Sequence, residues 1–142
     1  MNIHELRQYL EAEGCNPHTY AIGTRGSASD AYCLTYNGTQ WQVYYTERGH
    51  DDAPIYVTAD EQQACEFFRK HILSLRHDHC VGFFRSEEAA RSLIKKLAKL
   101  SVKARQDRIP YGGWVDPRYR VFVTGKDIFI ARANLDSIPV RD

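Results

Sequence analysis

The sequence predicts an α+β fold: a largely antiparallel sheet with amphipathic helices packed on one face. Two patterns lead there. Short segments alternate with period 2, as in Trp41-Gln42-Val43-Tyr44-Tyr45, while other stretches repeat apolar residues at helical spacing, as in Cys65, Phe68, Ile72 and Leu75. Hairpin signals such as Asn37-Gly38 join the first kind of segment. Strands and helices mixed with hairpins place the helices on one side of an antiparallel sheet.

Each element has its own local reason. Asn2 with Glu5 three residues later is a capping-box start, and Ile3, Leu6 and Leu10 share one helical face before Gly14 ends it. Tyr20 to Ile22, Ala31 to Tyr36 and Gln40 to Tyr45 read as an antiparallel meander, with a loop from Gly23 to Asp30 and a type I′ turn at Asn37-Gly38. Trp41, Val43 and Tyr45 are expected to face the core. Ile55 to Val57 adds a strand, and Thr58 with Glu61 forms a second capping box for the helix that carries Ala64-Cys65 and ends near Leu75. A second strand-cap-helix unit follows: Val81 to Phe84, Ser86 as cap, and a helix through Ala90, Leu93, Ile94, Leu97 and Leu100. Pro110 and paired Gly112-Gly113 make Ile109 to Trp114 a loop. Tyr119 to Val123 and Ile128 to Ala131 read as a hairpin, and residues 134–142 as a loosely attached tail.

At 142 residues and 43% hydrophobic, the chain has the size of one globular domain, 1–142. One continuous sheet is expected, because sub-lobes of 1–78 and 79–133 would each have a small core. Neither a signal peptide nor an apolar run of about 18 residues is present, and Cys15, Cys33, Cys65 and Cys80 lack close pairing. The reading is a cytoplasmic protein with reduced thiols. Net charge is +1, but Lys+Arg against Asp+Glu is 6 to 11 up to Cys80 and 13 to 7 from Val81 onward. Such asymmetry points to a polar partner unless the fold interleaves the halves.

No nucleophile elbow, phosphate loop, HExxH, paired CxxC or dinucleotide fingerprint occurs, so no enzyme and no cofactor are expected. His71, His77, His79 and Cys80 with Cys65 upstream invite a zinc reading, but their spacing matches no established ligand set, and no metal is expected. A Cys-His nucleophile would need an exposed thiolate, whereas Cys65 lies in an apolar stripe and Cys80 begins an apolar strand. The basic run Lys95, Lys96, Lys99, Lys103, Arg105 and Arg108, followed by Tyr111 and Trp114, supports an alternative: a nucleic-acid-binding or regulatory module using a basic helix over 95–108.

The richest binding chemistry follows the aromatic strand. Trp41-Gln42-Val43-Tyr44-Tyr45-Thr46-Glu47-Arg48-Gly49 resembles a W-x-V-Y-Y-x-E-R-G segment of small immunity proteins of bacterial polymorphic-toxin and contact-dependent inhibition systems. In that group an N-terminal helix comes first and a helix with a central Ala-Cys pair follows, here Ala64-Cys65. The resemblance covers the first half of the chain and implies a non-catalytic protein that neutralises a cognate toxin domain, with a nuclease as the expected target class. Tyr44, Glu47, Arg48, His50, Asp51 and Asp52 are the expected partner-binding residues, since aromatic and Arg side chains anchor interfaces and carboxylates select a basic partner. Loss of Glu47 or Asp51 is expected to leave folding intact.

Overall fold

The computed structural model describes residues 1–142, and the chain is α+β, with two compact units, Met1–His77 and Asp78–Asp142. The single continuous sheet expected from the sequence is instead two sheets, one of five strands and one of four.

The first unit runs α1 (Ile3–Ala12), a 3-10 turn (Pro17–Thr19), β1 (Tyr20–Gly23), β2 (Ala31–Tyr36), β3 (Trp41–Glu47), β4 (His50–Asp51), β5 (Tyr56–Thr58) and α2 (Glu61–Leu73). The α1 capping box forms as expected, with Glu5 N–H donating to Asn2 Oδ1 at 2.9 Å and Asn2 N–H to Glu5 Oε1 at 3.1 Å. The α2 cap is Asp60, not Thr58: Asp60 Oδ1 accepts from Gln62 N–H, while Thr58 Oγ1 accepts from Asp60 N–H. Leu6, Leu10, Leu34, Val43, Cys65, Phe68 and Ile72 close the core.

Three local expectations are corrected here. The meander is not wholly antiparallel, because β1 pairs β2 in parallel, Tyr20 opposite Tyr32. The seven residues from Thr24 to Asp30 let the chain run back beside its own start, which a two-residue hairpin cannot do. The turn after β2 is not type I′: Asn37 N–H donates to Gln40 O, and of the two central residues only Gly38 has positive φ, at 100°. Asn37 Oδ1 instead gathers the N–H groups of Thr39 and Gln40. On β3, Val43 is fully buried, but Trp41 and Tyr45 are only half-buried, and Tyr44 and Thr46 on the opposite side are buried as well. Segment 24–30 folds back over that end of the strand, where Arg25 Nε meets Asp51 and Ser29 Oγ accepts from Arg48 N–H.

The second unit runs β6 (Asp78–Phe84), α3 (Glu87–Ala98), β7 (Arg105–Ile109), β8 (Arg118–Thr124), α4 (Asp127–Asn134) and β9 (Val140–Arg141), with sheet order β7-β8-β6-β9. Both β6 and β7 run antiparallel to β8 between them, so β6-α3-β7 is a split βαβ unit. Unlike β5, a three-residue edge strand, β6 is a seven-residue central strand, so the two strand-helix units differ in position. The core gathers Val81, Phe84, Leu93, Leu97, Val121, Val123 and Ile128. Gly82 sits at a bulge in β6 where a Cβ would meet Leu93 Cδ2 at 2.8 Å and Val121 Cβ at 3.1 Å.

Three further expectations fail in this unit. Ile128 to Ala131 is helix, not the second arm of a hairpin, because Ile128 and Ala131 bury one helical face against the core. Residues 134–142 are not a loose tail: β9 pairs β6 in parallel, and Asp142 accepts the backbone N–H groups of Arg85 and Ser86 at 2.9 and 3.0 Å. The basic run over 95–108 is likewise no single helix. It passes from α3, which ends at Ala98, through a turn with Ser101 at φ 62°, into β7.

Candidate functional site

The hairpin between β3 and β4 is built by backbone geometry. Arg48 and Gly49 take φ of 50° and 80°, both central residues left-handed, as the type I′ turn requires. Below the turn, buried Thr46 donates its hydroxyl to Asp51 Oδ1 at 2.7 Å, Arg25 meets the same oxygen at 3.4 Å, and Asp52 N–H donates to Tyr45 O at 2.8 Å. His50 Nε2 lies 3.6 Å from Asp52 Oδ1.

These contacts divide the six sequence-derived residues into three groups. Glu47, Arg48, His50 and Asp52 project into solvent, with His50 81% and Asp52 56% exposed in their side chains. Asp51 is exposed but held inward by Thr46 and Arg25, so its carboxylate has a structural duty. Tyr44 is 7% exposed, and its expected outward placement is corrected: the face of β3 opposite Val43 is also covered. On the first face, the Tyr45 hydroxyl is pushed up from its ordinary 10.0 by desolvation, then by the Asp30 and Glu47 carboxylates.

No group of three or more His, Cys, Asp or Glu side chains is placed to hold a metal ion. His77 is buried, with Nδ1 accepting from Asn16 N–H at 3.0 Å and Nε2 donating to Ile72 O at 2.7 Å. His71 lies edge-on to Tyr32 and parallel to Phe67, its Nε2 buried without a partner, and burial lowers its pKa from 6.5. Burial pushes the thiols of Cys15, Cys33 and Cys65 up to about 11 and raises that of Cys80. Thiols held that high are weak nucleophiles near neutral pH.

The second unit carries a site that the basic-run reading missed. Helices α3 and α4 cover one face of its sheet, and the opposite face presents arginines over aromatic rings: Arg105 and Arg120 over Phe122 at 4.8 and 5.0 Å, and Arg141 over Phe83 at 4.9 Å. Arg120 forks onto Asp107 at 2.9 and 2.6 Å, and Arg105 meets Asp78 at 2.6 Å. Lys95 and Lys96 on α3 and Lys99 at its C-cap are solvent-facing, and Arg108 lies over Trp114 at 4.9 Å. Period-2 alternation in Arg118-Tyr119-Arg120-Val121-Phe122 was the sequence signal for this face. Compared with protein-family models, curated proteins and solved structures, the chain matches none of them.

Proposed function

We propose that this protein works by binding, as an immunity-type inhibitor whose β3-β4 hairpin covers the active cleft of a cognate toxin domain. The observation that carries the reading is a tight, solvent-facing turn, with Arg48 and Gly49 both left-handed, that offers Glu47, Arg48, His50 and Asp52. Exposed carboxylates select a basic cleft, and an Arg side chain beside them can anchor the contact. The first unit has 6 Lys+Arg against 10 Asp+Glu, a net −4 that also favours a basic partner. Sequencing the flanking genes for a toxin domain, then co-expressing any such domain with this chain, tests it. Protection by the native chain and its loss in a Glu47→Ala/Arg48→Ala/Asp52→Ala triple variant that remains folded is the expected outcome; undiminished protection moves the interface elsewhere.

A second reading has its own observation. Guanidiniums layered on Phe122 and Phe83 across an open sheet face resemble the surfaces on which single-stranded nucleic acid stacks. Anisotropy titration of a labelled oligouridylate at 50 and 200 mM salt tests it: binding that weakens steeply with salt and in Arg105→Ala/Arg120→Ala supports it.

A further inference from the structure

Beside that sheet face, at the β9 edge, lies a pocket of about 220 Å³ lined by Phe83, Arg85, Tyr111, Arg118, Arg141 and Asp142. Arg118 is the unusual member, because its side chain is only 9% exposed and a buried guanidinium is costly unless its donors are used. All of its hydrogen bonds leave from one nitrogen, Nη1, toward Asp116 Oδ1 at 2.8 Å, Asp116 O at 3.3 Å and Pro117 O at 3.1 Å. Nη2 and Nε make no hydrogen bond to the protein and are not sealed from solvent, since no Arg118 nitrogen is both buried and unpartnered, so they remain free to donate to a ligand. The loop that sets this geometry depends on Gly112, whose N–H donates to Asp116 O and where a Cβ would meet Asp116 Cβ at 3.0 Å.

The rest of the lining repeats the same chemistry. Tyr111 stacks on the Arg118 guanidinium at 4.4 Å, meets Phe83 edge-on, and is still 64% exposed. Three arginines against Asp142 and the Arg118-paired Asp116 leave the site at +1, and Asp142 is already anchored by two backbone N–H groups. A phosphate monoester carries about −1.5 to −2 near neutral pH. The volume is below the roughly 300 to 1,000 Å³ that encloses a whole small ligand, so it suits an end group whose remainder sits at the mouth.

We propose that this pocket receives the phosphate of a nucleoside monophosphate, with the base stacked on the exposed face of Tyr111. Arg118, Arg85 and Arg141 supply charge-assisted donors, and the sugar provides the separation between a phosphate held among them and a ring at the rim. This inference is independent of the toxin-binding hairpin and of the Phe122 stack.

Isothermal titration of the full-length protein with adenosine monophosphate, adenosine, inorganic phosphate and phenyl phosphate tests it. Adenosine monophosphate is expected to bind saturably at one site, at least about tenfold tighter than the other three. Arg85→Gln/Arg141→Gln, at exposed positions that leave the fold intact by circular dichroism, should weaken it about tenfold or more. Tyr111→Ala should weaken adenosine monophosphate and leave inorganic phosphate unchanged. Absence of saturable binding to 10 mM, or binding unchanged in the double Arg variant, overturns the site. Equal affinity for adenosine overturns the phosphate role, and equal affinity for inorganic phosphate or phenyl phosphate overturns the nucleoside assignment.

Discussion

His77 Nδ1 accepts the backbone N–H of Asn16 at 3.0 Å, which ties the segment that follows α2 to the turn that precedes β1. Its Nε2 serves Ile72 O at 2.7 Å, so both ring nitrogens are occupied and the tautomer is set by its neighbours. A histidine that the sequence offers as a metal ligand thus acts as a cross-brace within the first unit. His77→Ala would leave a buried donor and a buried acceptor unpaired, and unfolding in urea should show a loss of about 2 to 4 kcal/mol. His77→Gln should recover part of that loss, and added zinc should not change either midpoint.

Burial of neutral groups gives the stability a defined pH profile. Cys15, Cys33 and Cys65 have thiol pKa raised from 9.0 to about 11, so the stability that comes from keeping them neutral is full below pH 9.0 and lost as pH climbs to about 11. His71 has a pKa lowered from 6.5 by burial, so its contribution is present above pH 6.5 and lost as pH falls through the lowered value. Thermal melts should therefore be flat between about pH 7 and pH 9 and fall on both sides. His71→Phe should flatten the acid limb and raise stability by about 1 kcal/mol, since Nε2 has no partner to lose. Native protein should resist thiol reagents at pH 8 at Cys15, Cys33 and Cys65, all buried.

Local signals were legible and long-range ones were not. The Asn2-Glu5 box and the Cys65-Phe68-Ile72 stripe depend on residues within one or two helical turns, and both stand as read. Ile128-Phe129-Ile130-Ala131 is an unbroken apolar run, which periodicity alone assigns to strand or helix equally well. Strand β7 reads as a basic run because an edge strand is largely solvent-facing and keeps a polar sequence. For the pocket, Arg118 belongs to a visible alternation, but Arg85, Tyr111 and Arg141 reach it only through the β6-β9 pairing and the loop before β8. No spacing in the chain announces that convergence.

The aromatic strand is stabilised from a different point than its sequence suggests. Phe68 is fully buried and Trp41 only half-buried, stacked at a tilt on Tyr36 with centroids 5.2 Å apart. Phe68→Ala should cost about 3 to 5 kcal/mol, whereas Trp41→Ala should cost less, about 1 to 2. Denaturant midpoints of the two variants give the order directly.

Gly82 is the tightest point in the second unit's core. An alanine there would press on Phe84, Leu93 and Val121 at once, and the last of these contacts is at a Cβ that cannot rotate away. Gly82→Ala should lower stability by about 1 to 3 kcal/mol, as overpacking does, and a Gly82→Ala/Leu93→Ala pair should lose less than the sum of its two single variants.

The hairpin carboxylates should separate into one that supports the fold and two that serve a partner. Asp51 accepts the hydroxyl of Thr46, a residue with no exposed surface, so Asp51→Ala should cost about 1 to 2 kcal/mol of stability, contrary to the sequence expectation that it is dispensable for folding. Glu47 and Asp52 are exposed at the turn, and their alanine variants should fall within about 0.5 kcal/mol of the parent. If the proposed inhibitor reading holds, surface plasmon resonance against a toxin domain that the native chain neutralises should show Glu47→Ala and Asp52→Ala weakening binding by about 2 kcal/mol each, chiefly through faster dissociation. Asp51→Asn supplies the control, because the amide can still accept from Thr46 while its charge is gone. Full stability with weakened binding in that variant would place Asp51 in the interface too, and full stability with unchanged binding would confine its work to the hairpin.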